Sequence, residues 1–141
     1  MKQGYQPKYN FSENEESVSP KGGSSVQIKD SGTRTTFDTG AVRDGGKGKG
    51  RYDLIPWEAI EELAIHCEQG AIKYGERNCE KGIPTHSLID SAIRHLSKYL
   101  QGYKDEPHLR AAFWNIAFAI WTEKRKPEMQ DIPSRLEVGD D

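Results

Sequence analysis

The sequence predicts an all-α protein: a compact three-helix unit over about residues 56–74, 85–101 and 105–126, with a disordered N-terminal arm, completed by oligomerisation. Three observations lead there. Apolar residues recur at helical spacing only after Asp53, glycine or proline stands at the ends of each run, and the third run is apolar almost all round its helix.

At 141 residues the chain has room for one domain, and a mean hydropathy of −0.84 says that much of it lies outside a core. A net charge of −2 argues against a surface built for polyanions, so no stable nucleic-acid partner is expected. Cys67 and Cys79 form no CxxC pair, the amino terminus has no apolar stretch behind its charges, and no run reaches the length of a membrane span. A protein of a reducing compartment, the cytoplasm, with no membrane partner is the expectation.

Residues 1–36 contain no Leu or Ala, and Tyr5, Tyr9, Phe11, Val18, Val26 and Ile28 are scattered among Ser, Gly, Lys and Glu. Such a stretch buries too little to offset its ordering entropy and reads as a disordered arm. Residues 37–51, FDTGAVRDGGKGKGR, are glycine-rich and carry Arg43, Lys47, Lys49 and Arg51. They form either a flexible basic linker or a loop that folds over an anion. They are not a Walker A loop, since no Gly-Lys-Ser/Thr follows.

Pro56 suits the first turn of the first helix, and Gly75 supplies its left-handed cap. The second helix is expected to take Thr85 as N-cap and to stop at Gly102. The third begins near Asp105, tolerates Pro107 in its first turn and ends before Pro127. Residues 127–141 are a loose acidic tail, so the helical domain with its lead-in loop spans residues 37–126.

On a helical wheel Trp57, Ile60, Leu63, Ala64, Cys67, Ala71 and Tyr74 form one apolar arc of the first helix, the face expected to meet the core. Glu62, His66, Gln69 and Lys73 fall opposite. Glu61 and Glu68 are inserted between this arc and Ile65 and Ile72, with Glu58 just beyond. Carboxylates inside an apolar surface need a partner, either a salt bridge to Arg77, Arg94 or Lys98 or a divalent cation. In the third helix His108 and Asn115 share one stripe with Ala111, Ala112 and Ala119, and buried polar groups there must find a protein, water, metal or ligand partner. On the second helix His95 lies at the edge of the buried arc beside Ser91, and Arg94 is either solvated or turned to a phosphate. Three helices of this size bury little, and the third has no polar side, so a homodimer or homotetramer is expected.

The strings FDTGAVRDGGKGKGRYDLIPWEA, GAIKYGERNCEKGIP, SAIRHL and DEPHLRAAFWN occur in this order. With them residues 37–124 resemble a phage protein family, the dATP/dGTP diphosphohydrolases, related in activity to the MazG-type all-α nucleotide pyrophosphohydrolases. The resemblance implies metal-dependent hydrolysis of a purine deoxynucleoside triphosphate, dATP or dGTP, to the monophosphate and pyrophosphate, in a host cytoplasm. Cys79 stands where relatives carry Trp after the Asn. Glu58-x-x-Glu61 matches the first half of the MazG-type signature, but no E-x-x-D pair answers it in the third helix.

The expected chemistry follows from these residues. Glu58, Glu61 and Glu68, with Asp105, Glu106 or His108, are the metal ligands for Mg²⁺, or for Mn²⁺ or Co²⁺, and Glu61 and Glu58 are the catalytic carboxylates. Lys47, Lys49, Arg51, Lys73, Arg77 and Arg94 are the expected phosphate-side residues, and His95 is also expected to bind substrate. Tyr74, Asn78 and Trp114 are expected to stack on or bond to the base, and Asn115 is a further expected substrate-binding residue. The alternative is a non-catalytic protein that binds or sequesters a nucleotide or a nucleotide signal.

Overall fold

A computed structural model describes residues 28–138, which fall into two compact units that divide after Gly50. The stretch 1–27, most of the arm expected to be disordered, lies outside the described residues.

In the first unit, β1 (Arg34–Thr36) pairs antiparallel with β2 (Val42–Asp44), Arg34 opposite Asp44 and Thr36 opposite Val42. The turn is closed by the Phe37 amide donating to the Ala41 carbonyl at 2.9 Å and the Gly40 amide donating to Phe37 at 2.8 Å. Asp44 gathers the hairpin: it pairs with Lys49 and accepts from the Ser31 amide at 3.1 Å and the Ser31 hydroxyl at 2.7 Å. Lys49, then Ser31, holds its carboxyl well below the usual range. The hairpin uses residues 34–36, which the sequence placed in the arm, and residues 37–44 of the glycine-rich stretch.

The second unit is the helical one. After a 3-10 turn at Tyr52–Leu54 come α1 (Trp57–Tyr74), a 3-10 turn at Asn78–Lys81, α2 (Thr85–Leu100), α3 (His108–Arg125) and a last 3-10 turn at Pro127–Met129. Each end follows from local chemistry, with three differences from expectation. Gly75 does close α1, its amide bonded to Ala71 at 2.9 Å, but at φ 95° and ψ 153°, a glycine-only extended region rather than the left-handed helical one. Pro84, not Thr85, occupies the N-cap of α2, and Thr85 is a buried first-turn residue. Asp105 and Glu106 are not helical: a residue before proline is pushed out of the α region, so α3 starts only after Pro107. Between α2 and α3, Gly102 at φ 87° makes a Schellman turn, with the Tyr103 amide bonded to Lys98 at 3.1 Å and the Gly102 amide to Tyr99 at 3.0 Å.

α2 and α3 form an antiparallel pair joined by this short turn. Their shared core is Leu88, Ala92, Ala111 and Ala112, with Thr85, His95, His108, Asn115 and Thr122 buried among them. α1 lies against α3 but is turned from the expected orientation. Arg110 of α3 reaches past the apolar arc to Glu62 at 3.2 Å and Gln69 at 2.8 Å, and His66 packs on Trp114 with ring centroids 5.7 Å apart. The contact with α3 is thus shifted toward the edge of the predicted arc: Ile60, Leu63 and Ala71 are half-buried together with His66 of the opposite face, while Glu62, Gln69 and Lys73 remain exposed. Trp57 and Tyr74 of the predicted core face stay 55% and 61% exposed.

With proline at the N-cap of α2, the cap comes from the far end of the chain. The Asp131 carboxylate accepts the His86 amide at 3.0 Å and also bonds the His86 ring. That amide, then the His86 ring, lowers the Asp131 carboxyl from its ordinary value. Asp131→Ala is therefore expected to lower the urea midpoint of unfolding at neutral pH. Because the folded-state value is the lowered one, the contribution is present above the ordinary carboxylate range and vanishes as pH falls through the folded value. A cost that persisted in full in strong acid would rule out the cap.

Candidate functional site

The first residue to place is His108, opening α3 with its side chain buried at 2% exposure. The Schellman turn brings the end of α2 back onto the start of α3, so His95 Nδ1 lies 2.9 Å from His108 Nδ1. On its other side His108 Nε2 lies 2.8 Å from Asp105 Oδ1. A carboxylate only accepts, so this nitrogen carries the proton and donates. In the neutral ring Nδ1 is then bare and accepts from His95 Nδ1–H. His108 lowers the Asp105 carboxyl from its ordinary value by this bond, while burial, then the Arg94 guanidinium, lowers the His95 imidazole and favours its neutral form.

One donor atom from each of His95, Glu106 and His108 falls within 4.8 Å of the others. Glu106, in the connection before Pro107, is the exposed member. The chemistry of this set fits a divalent cation. The two Nδ1 atoms face one another 2.9 Å apart across a hydrogen bond, so a cation bound by both would displace the His95 Nδ1 proton and turn the rings toward a shared point. Asp105 stands where a carboxylate fixes the tautomer of a ligating histidine.

Beside the cluster is an open cavity of about 730 Å³, lined by Ala59 and Glu62 of α1, by Tyr99, Tyr103 and Lys104, and by residues 105–110 and Phe113. Arg110 is held in its wall by Glu62 and Gln69, with its Nε buried and unpaired. A second, more enclosed cavity of about 440 Å³ lies along the C-terminal half of α1, bounded by Tyr74, Arg77, Asn78, Ser91, Trp114 and Asn115 among others.

The structure thus divides the predicted site residues. Asp105, Glu106, His108 and His95 come together, and Tyr74, Arg77, Asn78 and Asn115 meet at the second cavity. Glu58, Glu61 and Glu68 do not join the cluster: the rotation of α1 leaves all three exposed, without an ion pair or hydrogen bond among the described residues. Lys49 is paired with Asp44, and Arg51 is paired bidentately with Asp53 at 2.8 Å on both sides. Lys47 is exposed in the first unit, Lys73 stands 5.0 Å from the Tyr74 ring centre, and Arg94 reaches its own helix at Ser91, 3.3 Å away. Reasoning from sequence missed Glu62, Gln69 and Arg110. Their spacing, two acceptors seven residues apart on one helix, was the signal for a cation inserted between them.

Residues 39–132 match the family described as dATP/dGTP diphosphohydrolase, N-terminal. The chain belongs to this family. No curated protein and no solved structure was found to match it. The matched stretch contains β2, all three helices and every residue of the His95–Glu106–His108 cluster, so the cluster is part of what the diphosphohydrolase family's N-terminal region comprises in this chain.

The hydrogen-bond chain has a spectroscopic consequence. Because Asp105 only accepts, ¹⁵N spectra of the imidazoles should show His108 carrying a proton on Nε2. A His108 ring carrying its proton on Nδ1 alone would contradict the arrangement.

Proposed function

We propose that this diphosphohydrolase-family chain binds a purine deoxynucleoside triphosphate and, with a divalent cation held by His95, Glu106 and His108, hydrolyses it to the monophosphate and pyrophosphate. The observation that carries the reading is the buried His95–His108 pair with its bare Nδ1, backed by Asp105 and opening on the large cavity. This donor set keeps Glu106 and His108 of the expected ligands, adds His95 and lacks the carboxylates of α1. Two imidazoles and one carboxylate favour Mn²⁺ or Co²⁺ over Mg²⁺, which prefers oxygen.

A cation bound there supplies neutralisation of phosphate charge and hydroxide near neutral pH. The remaining work falls to the chain. Asp105 keeps His108 in one tautomer and one orientation. Lys104, in the cavity wall, adds positive charge for the triphosphate. Glu62, oriented by Arg110 in the same wall, takes the proton from the attacking water. The water oxygen bonds to the α-phosphorus, the bond from that phosphorus to the bridging oxygen breaks, and pyrophosphate leaves.

The test is a screen of nucleoside triphosphates with Mg²⁺, Mn²⁺ and Co²⁺ in which monophosphate and pyrophosphate are read together. dATP and dGTP should give both in equal amounts, best with Mn²⁺ or Co²⁺. His108→Ala should abolish turnover, and Asp105→Asn should weaken cation binding by about 10–100-fold. Glu61→Ala should leave turnover close to that of the parent, and its loss instead would return the metal site to α1. Nucleoside plus triphosphate as products would sink attack at the α-phosphorus. Tight nucleotide binding with no products would leave a nucleotide-binding protein.

The same reading includes a second copy of the chain. Ile93, Leu96 and Leu100 on α2 and Leu109, Ile116 and Ile120 on α3 are exposed at helical spacing, Leu100 by 85%. So much exposed large apolar surface is more than a monomer ordinarily carries. Sedimentation should show a dimer or tetramer that Ile120→Asp converts to monomer. A parent protein that sediments as a monomer at every concentration removes this part.

A further inference from the structure

Resting on the nucleotide reading above, we infer that the smaller cavity is the purine subsite and that the Asn115 amide oxygen is the group that reads the base. The two cavities of the helical unit differ in the charge they offer. The larger has Lys104, Asp105, Glu106, Arg110 and Glu62 in its wall, whereas the smaller has one cation, Arg77, paired with Glu80 at 3.0 Å. A wall whose formal charges cancel suits an uncharged ring and not a phosphate. Its flat surfaces are Trp114 and Phe118, with ring centroids 4.6 Å apart, and Tyr74.

Asn115 gives this cavity direction. Its side-chain nitrogen lies 2.8 Å from the Ala111 carbonyl, which can only accept. The amide therefore cannot be flipped: one Nδ2–H is taken by Ala111, and the acceptor it presents is the oxygen, beside the second Nδ2–H. The oxygen takes a base edge that donates, the amino group of adenine or the ring N–H and amino group of guanine. Ser87 and Ser91 stand in the same wall as hydroxyls that donate or accept. Along α3, Asn115 follows His108 by seven residues, about 10.5 Å of helical rise.

Both cysteines of the chain, Cys67 and Cys79, line this cavity, which makes occupancy measurable in the unmodified protein. Alkylation by iodoacetamide is followed at each thiol by peptide mass spectrometry in EDTA, so that dATP binds without turnover. Only free protein reacts, so dATP or dGTP at about ten times its Kd should slow both thiols by roughly tenfold. Deoxyribose 5-phosphate and pyrophosphate should not. Purine deoxyriboside triphosphate, which lacks the donor edge, should protect only at much higher concentration. Asn115→Leu should remove protection by dATP while Mn²⁺ binding at the histidine cluster, read by electron paramagnetic resonance, stays as in the parent. Protection by pyrophosphate would overturn the subsite, as would dATP binding seen by calorimetry with both thiols still fully reactive. Turnover of dATP without protection overturns the subsite and leaves the activity standing. Protection without turnover does the reverse.

Discussion

The hydrogen bond between His95 and His108 decides how α2 and α3 meet, and the rest of the helical unit is arranged around that meeting. The apolar core between these helices is one leucine and three alanines. Small side chains let the two backbones approach, but they specify register weakly, since one alanine fits much like the next. Five buried polar residues supply what the alanines lack. Each costs on the order of 1–3 kcal/mol if left unpaired, and only one register of the α2–α3 pair puts Nδ1 against Nδ1 while Asp105 covers Nε2. The residues proposed to hold a cation are thus also those that fix the hairpin, and the Schellman turn at Gly102 sets the connection to the length this register needs.

Much of this was legible in the sequence, because the signals are local. Pro56, Pro107 and Pro127 bracket two of the helices, Gly75 and Gly102 end two, and the seven-residue interval from His108 to Asn115 identified a buried polar stripe. The rotation of α1 was not legible. Leu63, Ile65, Cys67 and Ile72 spread apolar surface round most of that helix, so its wheel does not choose a face. Arg110 chooses it. Burying one more large apolar side chain is worth roughly 1.5–3 kcal/mol, whereas a guanidinium buried without acceptors costs several. Glu62 and Gln69 are the acceptors within reach, and turning them toward Arg110 leaves Trp57, Tyr74 and the carboxylates Glu58, Glu61 and Glu68 in solvent.

Two other features were hidden because they join distant or short segments. Proline at the N-cap of α2 offers no side-chain acceptor, and nothing near it marks Asp131, forty-five residues on, as the substitute. The β1–β2 pair has three residues per strand, too few for an alternating pattern to rise above the polar background, and it is held by Asp44 rather than by burial. Lys49 and Arg51, read as free cations, are neutralised by Asp44 and Asp53 in sequence neighbourhoods that already contained those acids.

The placement of charge also bears on how one small domain treats a ligand with two unlike ends. A triphosphate and a purine ring make opposite demands: the first needs cations and exposed carboxylate ligands, the second a dry wall and a single acceptor. Along α3 the demands are separated by two helical turns, with the small residues Ala111 and Ala112 between His108 and Asn115. Ala111 contributes further, since its carbonyl fixes the Asn115 amide and so the side on which its oxygen is presented. The helix that carries the histidine proposed for the phosphate end thereby also fixes the orientation of the amide proposed for the base end.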